Sequence, residues 1–311
     1  MSGPVTRAWP IIRARLALLA SIILAMIAFW WMGEWSGFPR YQGHNASLLL
    51  QPLAMAKVLA VIVCTALLVT VGTLIAGRVR YDAGWACAAL GLYAMRLRGG
   101  PIDSAIADRS PDVFLTLAIE LAVLGAILGG AWGVLHVLRE RGSAFKSLRR
   151  VLELPEARAR LADRKAAAET LDQKILAAVM SAALMAVLML ILCRTGERAQ
   201  VFFAVGVSAY VAVWATHAFI PSRPGIWFWS GPIICGIAGY LWAWMNTSPA
   251  QLAIGEPGGF LAALARPLPL DYASIGVAAA LWRYVQSRTH QIRRVIEGQH
   301  QERPTVPAQP G

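Results

Sequence analysis

The sequence predicts an all-α integral membrane protein, a bundle of about eight transmembrane helices. Three observations predict it. The 311-residue chain is 57% apolar and only 15% charged, where soluble domains carry about a quarter charged residues. Its charges cluster in short basic groups between long apolar runs, so that mean hydropathy reaches +0.54. Tryptophans and tyrosines gather where the runs end, as interfacial rings do. The runs are continuous rather than alternating with a period of two, which excludes a transmembrane β-barrel.

Six runs are long enough to span a bilayer, at about 14–32, 53–76, 112–138, 174–193, 199–220 and 226–245. Two more are short, at about 83–98 and 268–285. The segment 83–98 holds 16 residues, about 24 Å as a helix against a hydrocarbon core of about 30 Å. It therefore sits nearly upright among neighbours or re-enters from one side. The first run follows Arg7, Arg13 and Arg15 and exits through Phe29-Trp30-Trp31-Met32. A cleavage site would need small residues there, so the run reads as a retained span.

The distribution of charge sets the topology. With eight crossings and the N-terminus in the cytoplasm, 21 of the 29 Lys and Arg residues lie inside: three before the first span, two between the second and third, ten in 139–174, one at Arg223 and five after the last span. Removing the crossing at 83–98 would move the ten basic residues of 139–174 outside, against the positive-inside rule. Both short segments are therefore expected to cross, with both termini cytoplasmic. Arg outnumbers Lys and Ala is abundant, which suits a bacterial chain and hence the cytoplasmic (inner) membrane.

Residues 1–297 read as a single transmembrane helical domain carrying a cytoplasmic basic helical loop at 139–174. Within that loop Phe145, Leu148 and Leu152 share one helical face opposite Lys146, Arg149 and Arg150. The pattern describes a surface helix over 143–154 lying on anionic lipid headgroups. Residues 298–311, rich in Pro, Gln and Glu, have the composition of a disordered tail. The formal charge of +12 does not mark a nucleic-acid binder, because the basic residues flank apolar runs and form no polar domain of their own.

Four groups of residues carry the functional expectations. Glu120 lies eight residues into the span at 112–138, about 12 Å along a helix, where an ionisable group is a functional hypothesis by default. Lys57 enters the second span from the same side and is the expected ion-pair partner. Arg96 and Arg98 stand on the outer side against the charge rule and are expected to pair with the nearby Asp103, Asp108 or Asp112. Gly125, Gly129 and Gly133 recur every four residues, the spacing of a close helix–helix contact, and with Glu120 on another face they place that helix centrally in the bundle. Cys64, Cys87, Cys193 and Cys235 read as buried thiols. His136 and His217 read as interfacial residues near cytoplasmic span ends.

The sequence contains no HExxH, GxSxG, Walker or GxGxxG motif, and no metal site or cofactor is expected. The leading expectation is a non-catalytic structural or assembly component of the membrane, with the lipid bilayer and other membrane subunits as partners. A small-solute transporter, proton-coupled through Glu120, is the alternative. A membrane-embedded enzyme comes third. A transporter predicts a water-accessible cavity at Glu120 with a broken helix nearby, and an assembly protein predicts an exposed face of small residues.

Overall fold

A backbone in lipid must satisfy its own hydrogen bonds, and the apolar runs do so as helices. The computed structural model describes residues 4–35, 47–50, 55–79, 81–97, 102–107, 109–141, 170–220 and 225–287, and among these residues no strand occurs. The helices are α1 (Pro4–Trp35), α2 (Met55–Val79), α3 (Tyr81–Arg96), α4 (Asp103–Ile106), α5 (Asp112–Arg141), α6 (Leu171–Leu192), α7 (Arg198–Phe219), α8 (Ile226–Asn246), α9 (Pro249–Ala253), α10 (Ala262–Ala265) and α11 (Pro269–Asp271). A π-helical turn, Tyr272–Gly276, follows α11 and leads into α12 over 277–287.

Four of these helices are long and apolar enough to cross a membrane: Asp112–Leu138 of α5, and α6, α7 and α8. They make the chain an integral membrane protein. Their outer surfaces agree with a lipid setting. On α2 the exposed residues are Leu59, Val63, Leu67 and Val71, one every four, while Thr65, Val69 and Thr73 face inward. Water would penalise such a stripe, whereas hydrocarbon does not.

Two groups of helices build the bundle. In the first, α1 packs on α2 and α3, and α2 packs on α3; in the second, α6 packs on α7 and α8. Helix α5 joins them by packing against α2 on one side and α8 on the other. The π-helical turn joins them a second time, touching α3, α7 and α8.

The short α3 is buried among its neighbours rather than facing lipid. Cys87, Ala88, Ala89, Leu92, Ala94, Met95 and Arg96 are all buried, and the ring of Phe29 from α1 occupies the place a side chain at Gly91 would need. Helix α5 is less enclosed than its sequence suggested. Ile119, Ala122, Ala126, Gly130, Val134 and Val137 form an exposed stripe along it.

The expected eighth segment, 268–285, is not one regular helix. Instead α10, α11, the π-helical turn and α12 follow one another as a broken helix whose residues 263–265 and 267–274 are buried. The breaks have local causes. Pro267 and Pro269 remove backbone donors, and Gly276 of the π-helical turn wedges against Pro232 of α8, where a Cβ would lie 3.0 Å from the proline.

Candidate functional site

Two carboxylates are buried in the described bundle, Glu120 on α5 at 2% exposure and Asp271 at the end of α11 at 0%. They are held in different ways.

Asp271 is fully committed. Arg96 at the end of α3 donates from Nε to Oδ1 at 2.6 Å and from Nη2 to Oδ2 at 3.3 Å. The Leu268 N–H donates to the same Oδ2 at 2.7 Å, so the aspartate also closes the turn that starts α11. Arg198 donates from Nη2 to the Arg96 carbonyl at 3.0 Å. The Arg96 and Arg198 guanidinium carbons each lie 5.4 Å from the centre of the Phe202 ring, a cation–π distance, and Tyr93 meets that ring edge-on. Arg96 Nη1 has no hydrogen-bond partner among the described residues. This corrects the expected pairing of Arg96 with Asp103, Asp108 or Asp112: a doubly bonded, desolvated partner outcompetes acids at a wetter surface.

The surroundings of Asp271 are close-packed. Tyr240 of α8 donates to the Pro267 carbonyl, and Tyr272 donates to the Leu264 carbonyl at 2.7 Å. At Gly239 of α8 a Cβ would lie 2.8 Å from the Leu264 carbonyl carbon and oxygen, so backbone meets backbone there. Gly231 and Gly236, on the same helix, are closed by Ser181 and by Leu121 with Tyr272. These are the close-approach glycines of the bundle, and sequence reasoning missed them. Their spacing of five and then three residues was the available signal.

Glu120 is held by one oxygen only. Oε2 accepts from the Ser47 hydroxyl, and from the Leu49 N–H at 3.1 Å. Ser47 Oγ in turn accepts the Leu50 N–H at 3.3 Å, a local turn that serine favours. Oε1 is buried and meets no hydrogen-bond donor among the described residues. Apolar atoms of the Glu120 side chain line a small crevice with Leu48, Ile62, Thr65, Val123, Leu124 and Ile127.

Several expected residues fall elsewhere. Lys57 belongs to α2, but its side chain lies outside the described residues, and so do Arg98, Asp108, Lys146, Arg149, Arg150 and the whole of 143–154 and 298–311. Asp112 accepts from Trp244 Nε1 at 3.1 Å, apart from Asp103, which packs beside Gly196 and Gly255. Desolvation holds the Asp103 carboxyl above its ordinary value, with Glu256 adding to the effect and its own backbone N–H and Arg266 opposing it.

Gly125 rests on Ile233, where a Cβ would stand 3.0 Å from the isoleucine, but Gly129 and Gly133 have nothing within 4 Å. Among the described residues the expected close contact is therefore made at Gly125 and not at Gly129 or Gly133. His217 is buried rather than interfacial, at 3% exposure. Its Nδ1 lies 2.8 Å from Ser287 Oγ, and its ring meets Phe228 and Tyr284 edge-on. His136 stacks on Trp132.

Of the two carboxylates, Asp271 has a donor on each oxygen, whereas Glu120 has donors on Oε2 and none on Oε1 among the described residues. No family model, curated protein or solved structure compared with the chain matches it.

Proposed function

We propose that the chain is a non-catalytic assembly component of a bacterial cytoplasmic membrane, crossing it eight times with both termini and the basic loop 139–174 inside. In this reading 143–154 rests on anionic headgroups, and α5 receives a helix of another membrane subunit. The observation that carries it is the open face of α5. Ala122, Ala126 and Gly130 are exposed at intervals of four residues, and neither Gly129, Gly130 nor Gly133 has a neighbour within 4 Å. Small residues at that spacing let a second helix approach closely where van der Waals packing drives association in lipid.

The test is Gly130→Leu, which fills the exposed face at a position where a Cβ meets nothing within 4 Å among the described residues. The wild-type protein extracted in mild detergent is expected to run heavier than one chain, and the variant at the mass of one chain. Equal, single-chain masses for both would overturn the reading. A second reading, a proton-coupled transporter of a small solute, is favoured by the broken helix at 262–287, which packs against α5 through α11 and the π-helical turn, and by the uncommitted oxygen of Glu120.

A further inference from the structure

We propose that Glu120 is a reversible proton-binding site whose protonation at Oε1 releases the Ser47–Leu50 segment from α5. The inference deepens the transport reading, since it concerns the same carboxylate, and it stands whether or not the chain also assembles with a partner.

The hydrogen-bond pattern fixes which oxygen takes the proton. Oε2 faces two donors, the Ser47 hydroxyl and the Leu49 N–H. Ser47 is oriented to donate, because its own oxygen accepts the Leu50 N–H. A proton on Oε2 would set donor against donor. Oε1 is buried without a donor among the described residues. With its surface closed off in this way, a bare proton is the species that fits at Oε1.

Protonation forms one O–H bond at Oε1, takes its proton from water, and changes the carboxyl from charge −1 to neutral. No other bond is made or broken. Hydrogen bonds to an ionised acceptor are about twice as strong as those between neutral groups. The two bonds that hold Ser47 and Leu49 therefore weaken together when Glu120 becomes neutral. The segment is clasped with the acid ionised and loosened with it protonated.

The groups around Glu120 are few. From α2 the chain brings Lys57, whose side chain is outside the described residues, and Cys64. From α8 come Tyr240, whose hydroxyl is given to Pro267, and Cys235. From α11 comes Asp271, paired with Arg96 of α3, and from the π-helical turn Tyr272, bonded to Leu264. Ser47–Leu50 itself contributes no charge. Every described titratable oxygen near the site other than Glu120 Oε1 already has a partner.

The experiment uses the full chain in lipid. Infrared difference spectra between about pH 9 and about pH 5 should show a carboxylic-acid carbonyl band that grows on acidification and is missing in Glu120→Gln. Hydrogen exchange of the 47–50 peptide, compared at one pH, should be about tenfold faster in Glu120→Gln than in the wild type, because both bonds lose their charge assistance. Ser47→Ala should speed that exchange at every pH while leaving the carbonyl band titrating, which keeps the test open if the glutamine variant fails to fold. A wild-type carbonyl signal that does not change with pH overturns the proposal, and so does 47–50 exchange equal in wild type, Glu120→Gln and Ser47→Ala. A titrating band and a released segment in a protein that moves no protons across proteoliposomes retire the transport reading and support the switch.

Discussion

The two buried acids of this bundle sit within one layer of helices of each other and have opposite settings. Asp271 has an arginine on both oxygens and a backbone N–H on one of them, and its surroundings are packed until backbone touches backbone at Gly239. Glu120 has neutral donors on one oxygen and nothing on the other among the described residues, and its helix presents open glycines about two and a half to three and a half turns further on. A buried charge is costly alone and is stabilised by a hydrogen-bonded counter-charge. The chain supplies that counter-charge where three elements must be locked together. Among the described residues Glu120 has no such counter-charge.

The largest expected effect tests this contrast directly. Asp271→Asn leaves Arg96 charged at 1% exposure without its partner, a loss of about 3–5 kcal/mol. Glu120→Gln keeps an oxygen for Ser47 and Leu49 to bond, and should cost about 1 kcal/mol. Thermal unfolding in one detergent, with both variants side by side, checks the order. The double variant Arg96→Met/Asp271→Leu should be more stable than Asp271→Asn, since it removes both charges. Equal losses for Glu120→Gln and Asp271→Asn would break the comparison.

How far the sequence carried the reading follows from the range of the signals. Hydropathy is local, so the apolar segments fall on helical structure, and among the described residues four helices are long and apolar enough to cross a membrane. Glu120 stood out because an acid within an apolar run needs no partner to be noticed. Its donors did not, because Ser47 and Leu49 lie in a connection with no periodicity. The Arg96–Asp271 pair spans 175 residues, and nothing in either neighbourhood names the other. The one available signal was two outer-side residues of opposite sign, each at the end of a short segment. Gly125, Gly129 and Gly133 illustrate a different limit of such signals. Their spacing marks a face on which a helix can approach closely, and does not say whether that helix belongs to the same chain.

A middle-sized effect separates two glycines by what blocks them. Gly239→Ala would push a methyl group against the Leu264 backbone, which cannot rotate away, and should cost about 1–3 kcal/mol as overpacking. Gly125→Ala meets only the Ile233 side chain at 3.0 Å, which can shift by a rotamer adjustment, and should cost less than Gly239→Ala. The same thermal measurement ranks them. A Gly125→Ala variant less stable than Gly239→Ala would mean that the α5–α8 contact, rather than the broken helix, is the tightest seam.

The smallest expected effect is the sharpest on the open side of the molecule. Gly129 lies on α5 beyond Glu120, with nothing within 4 Å of the place its Cβ would take. Gly129→Leu therefore places its Cβ in open space among the described residues and should change the stability of the single chain by no more than about 0.5 kcal/mol, the range of substitutions away from packed features. Relief of glycine's backbone entropy in a helix would push the change toward stabilisation. Thermal unfolding after dilution to single chains reads this alone. A loss of 1–3 kcal/mol under those conditions would show that α5 is closed within the chain and would remove the observation on which assembly rests. A neutral Gly129→Leu that nevertheless lowers the mass of the mildly extracted particle would place the missing contact outside the chain, on the side of Glu120's helix that the bundle leaves uncovered.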